Sequence, residues 1–150
     1  MPRIAPAKIE DLSPEMQEVF EISIQNMGFS ANDVLTMARK PELLSAMLGL
    51  YNAVYGPTSQ VDHGLKQMMA ELISHSAGCM YCFAHTAHGT ARAGVPQEKI
   101  DAVWDYERSD LFTEAERAAL NFAQAAGRAP ADTTDADFDR LKEHFSEDQI

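Results

Sequence analysis

Cys79 and Cys82, with His85 and His88 shortly after them, are the residues in this chain whose types and spacing could do chemistry. The chain has only these two cysteines. A pair this close closes a very short loop, and cross-links gain most from long ones, so stapling the fold is a poor use for it. In a reducing compartment such a pair reads as redox or metal chemistry. On a helix the two side chains are neighbours at i and i+3. A disulfide needs Cβ atoms about 4 Å apart, which one helical turn can approach. Gly78 precedes the pair, which places both sulfurs in the opening turn of a helix. Unpaired backbone N–H groups and the helix dipole stabilise a thiolate there, and the thiolate is the nucleophile. An oxidant would convert one sulfur to a sulfenic acid, its neighbour would condense with it, and thiol exchange would restore the pair.

Plainer readings stand beside this one. Two small thiols can be core filler, and the histidines can be structural. Zinc is a weak reading, because structural sites take four ligands, usually as two separated pairs. Cys79 and His88 lie nine residues apart, about 900° around an intact helix and therefore on opposite faces. His85, three past Cys82, can pair with the thiolate or relay a proton. His88 swings away from Cys79, and His75 can approach from the preceding helix. That helix also carries Gln67 and Glu71, four apart on one face. Glu71 can carry a proton or be a solvated surface carboxylate; Gln67 can hold a hydrogen bond but cannot ionise.

The elements that must position these residues are helical throughout. Ser13-Pro14 reads as a cap with proline at the first helical position, and Met16, Val19, Phe20 and Ile24 follow at helical spacing to Gly28. A short helix over residues 33–39 comes next. Pro41 opens a longer one with a wide apolar stripe of Leu43, Leu44, Met47, Leu48, Tyr51, Val54 and Tyr55, ended by Gly56-Pro57. Residues 62–77 form a third long helix with Leu65, Met68, Met69, Leu72 and Ile73 as its apolar face. The cysteine helix follows Gly78 and stops at Gly94 as a C′ residue. Pro96 restarts a short helix through Ile100 and Val103. Thr113 and Glu116 fit a capping box, opening a helix that ends at Gly127. Thr134 and Asp137 open another through Phe145. No stretch alternates with period two, so no sheet is expected. Ser146 to Gln149 again fits a capping box, yet the chain stops at Ile150, which points to a truncated record or to a frayed acidic tail.

Composition bounds the rest. Lys and Arg number 12 against 23 Asp and Glu in 150 residues, a net charge of −11. That balance disfavours nucleic acid and anionic membranes as partners, since both demand clustered cations. A 45% hydrophobic content with 23% charged residues is ordinary for a globular chain. The length favours one domain over residues 1–150. The opening residues show no apolar signal segment and no run long enough to span a bilayer. A cytoplasmic setting is therefore expected.

At these residues the sequence resembles the carboxymuconolactone decarboxylase superfamily, in its alkylhydroperoxidase D-like branch. The resemblance covers residues 65 to the end. It rests on Leu65, Lys66, Gln67, Met68 and Met69, then on Ala77, Gly78, Cys79, Met80, Tyr81 and Cys82, then on Ala91, Arg92, Ala93, Gly94 and Val95. The stretches around Tyr106 to Phe112 and Glu114 to Leu120 also look like the peroxidase-related members. The resemblance implies a compact all-α domain with a helix-turn-helix around the cysteine pair, assembled as a homo-oligomer, trimer or hexamer. It implies a dithiol–disulfide cycle in which Cys82 attacks and Cys79 resolves, with a Glu and a His relaying protons. The position of the family Glu is Gln67 here, and that of the family His is Thr86, with His85 one residue earlier. Glu71 and His85 are the residues from which the relay can be rebuilt. The family continues past Ile150 with a further apolar helix. Decarboxylase members generally lack the cysteine pair, so that activity is not carried over.

The expectation is a thiol-dependent peroxidase or disulfide oxidoreductase for small hydroperoxides. No tightly bound cofactor and no metal are implied, and an external dithiol or thiol-protein supplies the electrons. The rivals are a redox-sensing or structural oligomer without turnover, and a ligand-binding or lyase-like member using the same cavity.

Overall fold

The computed structural model describes residues 3–150. Among them the chain is all helical: α1 (Pro14–Met27), α2 (Asn32–Met37), α3 (Pro41–Tyr55), α4 (His63–Ser76), α5 (Met80–Arg92), α6 (Gln97–Asp101), α7 (Glu114–Ala126) and α8 (Asp135–Lys142). Short 3₁₀ turns lie at Ile9–Asp11 and Val103–Asp105, and these residues form no strand. The helices divide between two compact units, one ending at Ser59 and the other spanning Gln60–Ile150. No helix among the described residues is long and apolar enough to cross a membrane.

In the first unit the capping chemistry sets the helix ends. Ser13 Oγ accepts the Met16 N–H, Pro14 opens α1, and Gly28 closes it in the left-handed region at φ 84°. Phe20, Ala38 and Leu44 form the buried centre, flanked by Leu12, Met16, Val34 and Met47. The wide α3 stripe is narrower than its sequence implies: Leu44 is buried, while Leu43, Tyr51 and Val54 are exposed. Hydropathy gives the angular width of an apolar face but not how much of it another element covers.

The second unit is built on α4, which packs against both α5 and α7. Asp62 caps α4, its side chain accepting the Leu65 N–H at 2.8 Å. Leu65, Met68 and Leu72 project into a core completed by Val103, Tyr106, Phe112, Leu120 and Leu141. Ile73, read above as part of the same face, is instead 38% exposed. Its place in the core is taken from the other side of the stripe, by polar residues described below.

Thr113 and Glu116 form the expected capping box, with the Thr113 N–H donating to Glu116 Oε2 at 2.9 Å and the Glu116 N–H to Thr113 Oγ1 at 3.2 Å. Lys99 reaches the same carboxylate at 2.6 Å. Burial pushes the Glu116 carboxyl up, but the bonds from Lys99 and Thr113 outweigh it and hold the group below its ordinary value. Gly127 ends α7 as expected, for a packing reason: a Cβ there would lie 2.8 Å from the Ile73 carbonyl oxygen. The last helix closes at Lys142, short of the expected Phe145, which packs half-buried against the core.

Candidate redox site

The turn between α4 and α5 serves both helices at once. Gly78 adopts φ 69°, open to glycine at no steric cost. Its N–H donates to the His75 carbonyl at 2.9 Å, and the Cys79 N–H donates to the Ser74 carbonyl at 2.8 Å. This is a Schellman closure of α4. Cys79 is at the same time the cap of α5: its Sγ accepts the Cys82 N–H at 3.3 Å. The sulfurs are joined in a disulfide, with Cα atoms 5.4 Å apart. Cys82 is exposed and Cys79 half-buried. The pair thus sits at a helix N-terminus, where the Cys82 N–H is directed at the Cys79 sulfur.

Below Cys82, a stripe of α5 faces α4. Thr86 and Thr90 follow Cys82 at four-residue intervals. Thr86 Oγ1 donates to the Cys82 carbonyl at 3.0 Å, and Thr90 Oγ1 lies 2.9 Å from the Thr86 carbonyl. Thr90, completely buried, also offers its hydroxyl to Glu71 Oε2 at 3.2 Å. Glu71 is only 3% exposed. Its burial raises the carboxyl pKa above the ordinary value, and the Thr90 hydrogen bond offsets part of that rise. One turn back on α4, Gln67 lies against Gly89, where a Cβ would stand 2.5 Å from Gln67 Oε1.

The sequence-selected residues therefore divide. Gln67 and Glu71 come together on the buried face of α4, so Glu71 is not a solvated carboxylate. Among the described residues no hydrogen bond joins Glu71 to either sulfur. Helical side chains lean toward their own N-terminus, and on α4 that direction leads away from the cysteine turn. Thr90, which holds Glu71, is eight residues past Cys82, about 12 Å of helix rise. His85 Nδ1 lies 2.9 Å from the Tyr81 carbonyl, and its ring is tilted by 41° to that of Tyr81 with the centroids 4.2 Å apart. This geometry makes Nδ1 the donor and Nε2 the basic nitrogen of the neutral ring. The His75 ring lies 4.7 Å from that of Trp104 and 6.1 Å from that of Phe83. His88 is exposed.

Sequence reasoning passed over Thr90, Gly89 and Trp104. The four-residue spacing of Cys82, Thr86 and Thr90 was the available signal for the first. Among the described residues no group of three or more His, Cys, Asp or Glu could hold a metal ion. A separate cleft of about 340 Å³, lined by Arg117, Asn121, Arg140 and His144 among others, holds none of the site residues.

An all-helical fold with a cysteine disulfide at the turn of a helical hairpin is the alkylhydroperoxidase D-like fold. Residues 41–125 match the model of the carboxymuconolactone decarboxylase family, and the chain belongs to that family. The chain is 35% identical to a cysteine-to-alanine variant of the debrominase Bmp8, solved in complex with 2,3,4-tribromopyrrole. The match covers 98% of this chain and 78% of Bmp8, with a TM-score of 0.88. The alkylhydroperoxidase AhpD core of a peroxidase-related protein from Ralstonia eutropha JMP134 superposes with a TM-score of 0.80 at 23% identity, covering 99% of this chain and 80% of the other. That likeness is one of fold. Among curated proteins, YnjA of Escherichia coli K12 is 32% identical over 87 residues, 58% of this chain. The matched region is about half of YnjA's own length, 48%.

Proposed function

We propose that the Cys79–Cys82 pair is the working centre of a thiol-dependent reductase. It delivers two electrons to a small electrophile and is returned to the dithiol by an external thiol. The observation that carries this reading is the disulfide spanning the opening turn of α5, with Cys82 the exposed residue of the pair. The likeness to Bmp8 over nearly the whole chain makes a brominated heteroaromatic ring such as a bromopyrrole the first electrophile to test. In that reaction the Cys82 thiolate takes the bromine while the ring carbon gains a proton. Cys79 then displaces bromide from the Cys82 sulfur. In sum a C–Br bond becomes C–H, two thiols become a disulfide, and a bromide and a proton are released.

The second reading, a peroxidase for small hydroperoxides, rests on the cysteine motif itself. There the Cys82 thiolate breaks the O–O bond and becomes a sulfenic acid as an alcohol leaves, and Cys79 expels water to form the disulfide. Either reaction needs proton delivery, for which His85 and Glu71 are the candidates. A dithiol cycle without a bound cofactor suits the reducing cytoplasm. The same reading includes a homo-oligomer, which would cover the exposed Leu43, Leu50 and Val54 on one face of α3.

The test incubates reduced protein with dithiothreitol and either 2,3,4-tribromopyrrole or cumene hydroperoxide, following bromide release and peroxide loss. Cys82→Ser is expected to abolish turnover, and Cys79→Ser to stall after one event. Equal rates in wild type and both variants would favour the redox-sensing oligomer instead. A Cys82 pKa near the ordinary thiol value of about 8.5, read from the pH dependence of alkylation, would also count against catalysis.

A further inference from the structure

Trp104, the only tryptophan in the chain, is turned outward beside the cysteine turn. It sits in the 3₁₀ turn Val103–Asp105, between two core anchors: Val103 is fully buried and Tyr106 nearly so. In such a turn residues three apart share one side. The geometry that buries Val103 and Tyr106 therefore points Trp104 away from the core, and 48% of it is exposed. Aromatic side chains dominate the energetics of cores and interfaces, so one left half in water is a departure. Its covered half rests on the two helices that frame the disulfide. The indole lies 4.7 Å from the His75 ring and 5.9 Å from the Phe83 ring. The His75 carbonyl accepts the Gly78 N–H, and Phe83 directly follows Cys82. Trp104 is thus held from both ends of the turn that carries the sulfurs. The two rings meet the indole at 60° and 52°. Neither lies flat against it, which leaves the parallel, offset mode of aromatic contact open to a ligand. Residues 72–97 contain no Asp or Glu, so the turn itself supplies no carboxylate to repel a halogen-rich ring or a departing anion.

We propose that Trp104 selects for an aromatic electrophile: its exposed indole is a shelf on which a small planar ring stacks beside Cys82. The inference rests on the reductase reading above and deepens it, because it separates the two substrates of that reading. A shelf covers one face of the ring and leaves the other in water, so it needs no enclosed cavity. The bromines of a bromopyrrole add contact area to the stack. Phe83 and His75 are positioning residues. Phe83 is bonded to Cys82 and in ring contact with Trp104, which sets the distance from shelf to sulfur. His75 meets the indole from the α4 side of the turn and sets its tilt. An alkyl hydroperoxide has no ring to stack and gains little from the shelf.

The test uses the single tryptophan as its own probe, because bromine in contact with an indole quenches its fluorescence. Oxidised wild type, which cannot turn over, is titrated with 2,3,4-tribromopyrrole and with 2-bromoethanol, which carries bromine but no ring. Free N-acetyltryptophanamide gives the collisional background. Tribromopyrrole should quench Trp104 along a saturating curve, and bromoethanol only along the linear background. Kinetics then compare wild type, Trp104→Ala and Trp104→Phe. Trp104→Ala should raise KM for tribromopyrrole about threefold to tenfold, and Trp104→Phe should recover most of that loss. tert-Butyl hydroperoxide should show the smaller rise. Linear quenching by tribromopyrrole, an unchanged KM in Trp104→Ala, or an equal rise for both substrates would each overturn the inference. Should Trp104→Ala fail to fold by circular dichroism, the quenching curve alone decides. Saturating quenching without debromination would sink the reductase reading and keep the shelf, while debromination with linear quenching would do the reverse.

Discussion

Gly89→Ala sets two known effects against each other at the centre of the site. Alanine is the better helix former, and inside α5 the exchange should stabilise by about 0.5–1 kcal/mol. The new Cβ, however, would lie 2.5 Å from Gln67 Oε1 and 3.0 Å from its Cδ. A flexible side chain on the surface would swing aside freely, but Gln67 is 7% exposed and its amide has less room to move. Overpacking of this kind costs about 1–3 kcal/mol. The net expectation is a loss of about 1 kcal/mol and a fall of a few degrees in Tm. In a Gln67→Ala background the obstruction is gone, and the same Gly89→Ala exchange should stabilise. The assay is urea unfolding of wild type, both single variants and the double variant, read as a thermodynamic cycle. A Gly89→Ala effect of the same sign in both backgrounds would refute the packing of Gln67 over Gly89.

Three further outcomes follow from the same geometry. The pKa of Glu71 is raised by burial above its ordinary value of 4.5, so its contribution to stability is complete below that value and is lost as pH rises through the folded-state pKa. Glu71→Gln should therefore gain on wild type in urea midpoints as pH rises above 4.5; a difference that stays constant as pH rises would contradict it. Thr113→Ala should cost about 1 kcal/mol at neutral pH. The cost should shrink in acid, because Glu116 is held below its ordinary value and its share is lost as pH falls through that lowered value; thermal scans against pH read it. Gln67→Glu restores the acid that the family resemblance expects and should raise peroxide turnover with dithiothreitol. An unchanged or slower rate would mean that protons travel by another route.

The helix boundaries were legible because they are written in local chemistry. Ser13-Pro14, Thr113 with Glu116, and Gly28, Gly78 and Gly94 each act within a few residues, and sequence shows such signals directly. The cysteine turn was legible for the same reason. The face of α4 that carries the candidate site was not. Periodicity marks Leu65, Met68 and Leu72 as core, but it assigns Ile73 to the same face and gives no reason to bury Gln67, Glu71 and Ser74. Their burial depends on what α5 presents at Gly89 and Thr90, a contact made across the hairpin and absent from either helix alone. Gly127 shows the same limit. Its sequence position says that a helix ends there, whereas the close approach to the Ile73 backbone says why glycine is needed.

The two sulfurs are not equivalent, and their differences bear on both halves of the proposed cycle. Cys79 is half-buried and caps α5, so its sulfur has the Cys82 N–H 3.3 Å away in the folded turn. An amide donor stabilises negative charge on sulfur, which makes Cys79 the better leaving group when an external thiol opens the disulfide. Cys82 is exposed and is the sulfur that thiol can reach. Attack there leaves the donor on Cys82 and the charge on Cys79. In the oxidative half the geometry again favours an adduct on Cys82, with the Cys79 thiolate close behind it to displace what has been added. One asymmetry of burial and capping thus supports one assignment in both directions. It is checked by trapping. With a chromogenic aromatic disulfide, Cys79→Ser should accumulate a stable mixed disulfide on Cys82, identified by peptide mass. Cys82→Ser should react more slowly at Cys79, by the difference in exposure. Equal trapping rates at the two positions would mean that burial does not decide which sulfur meets the substrate, and the assignment of roles would have to be abandoned.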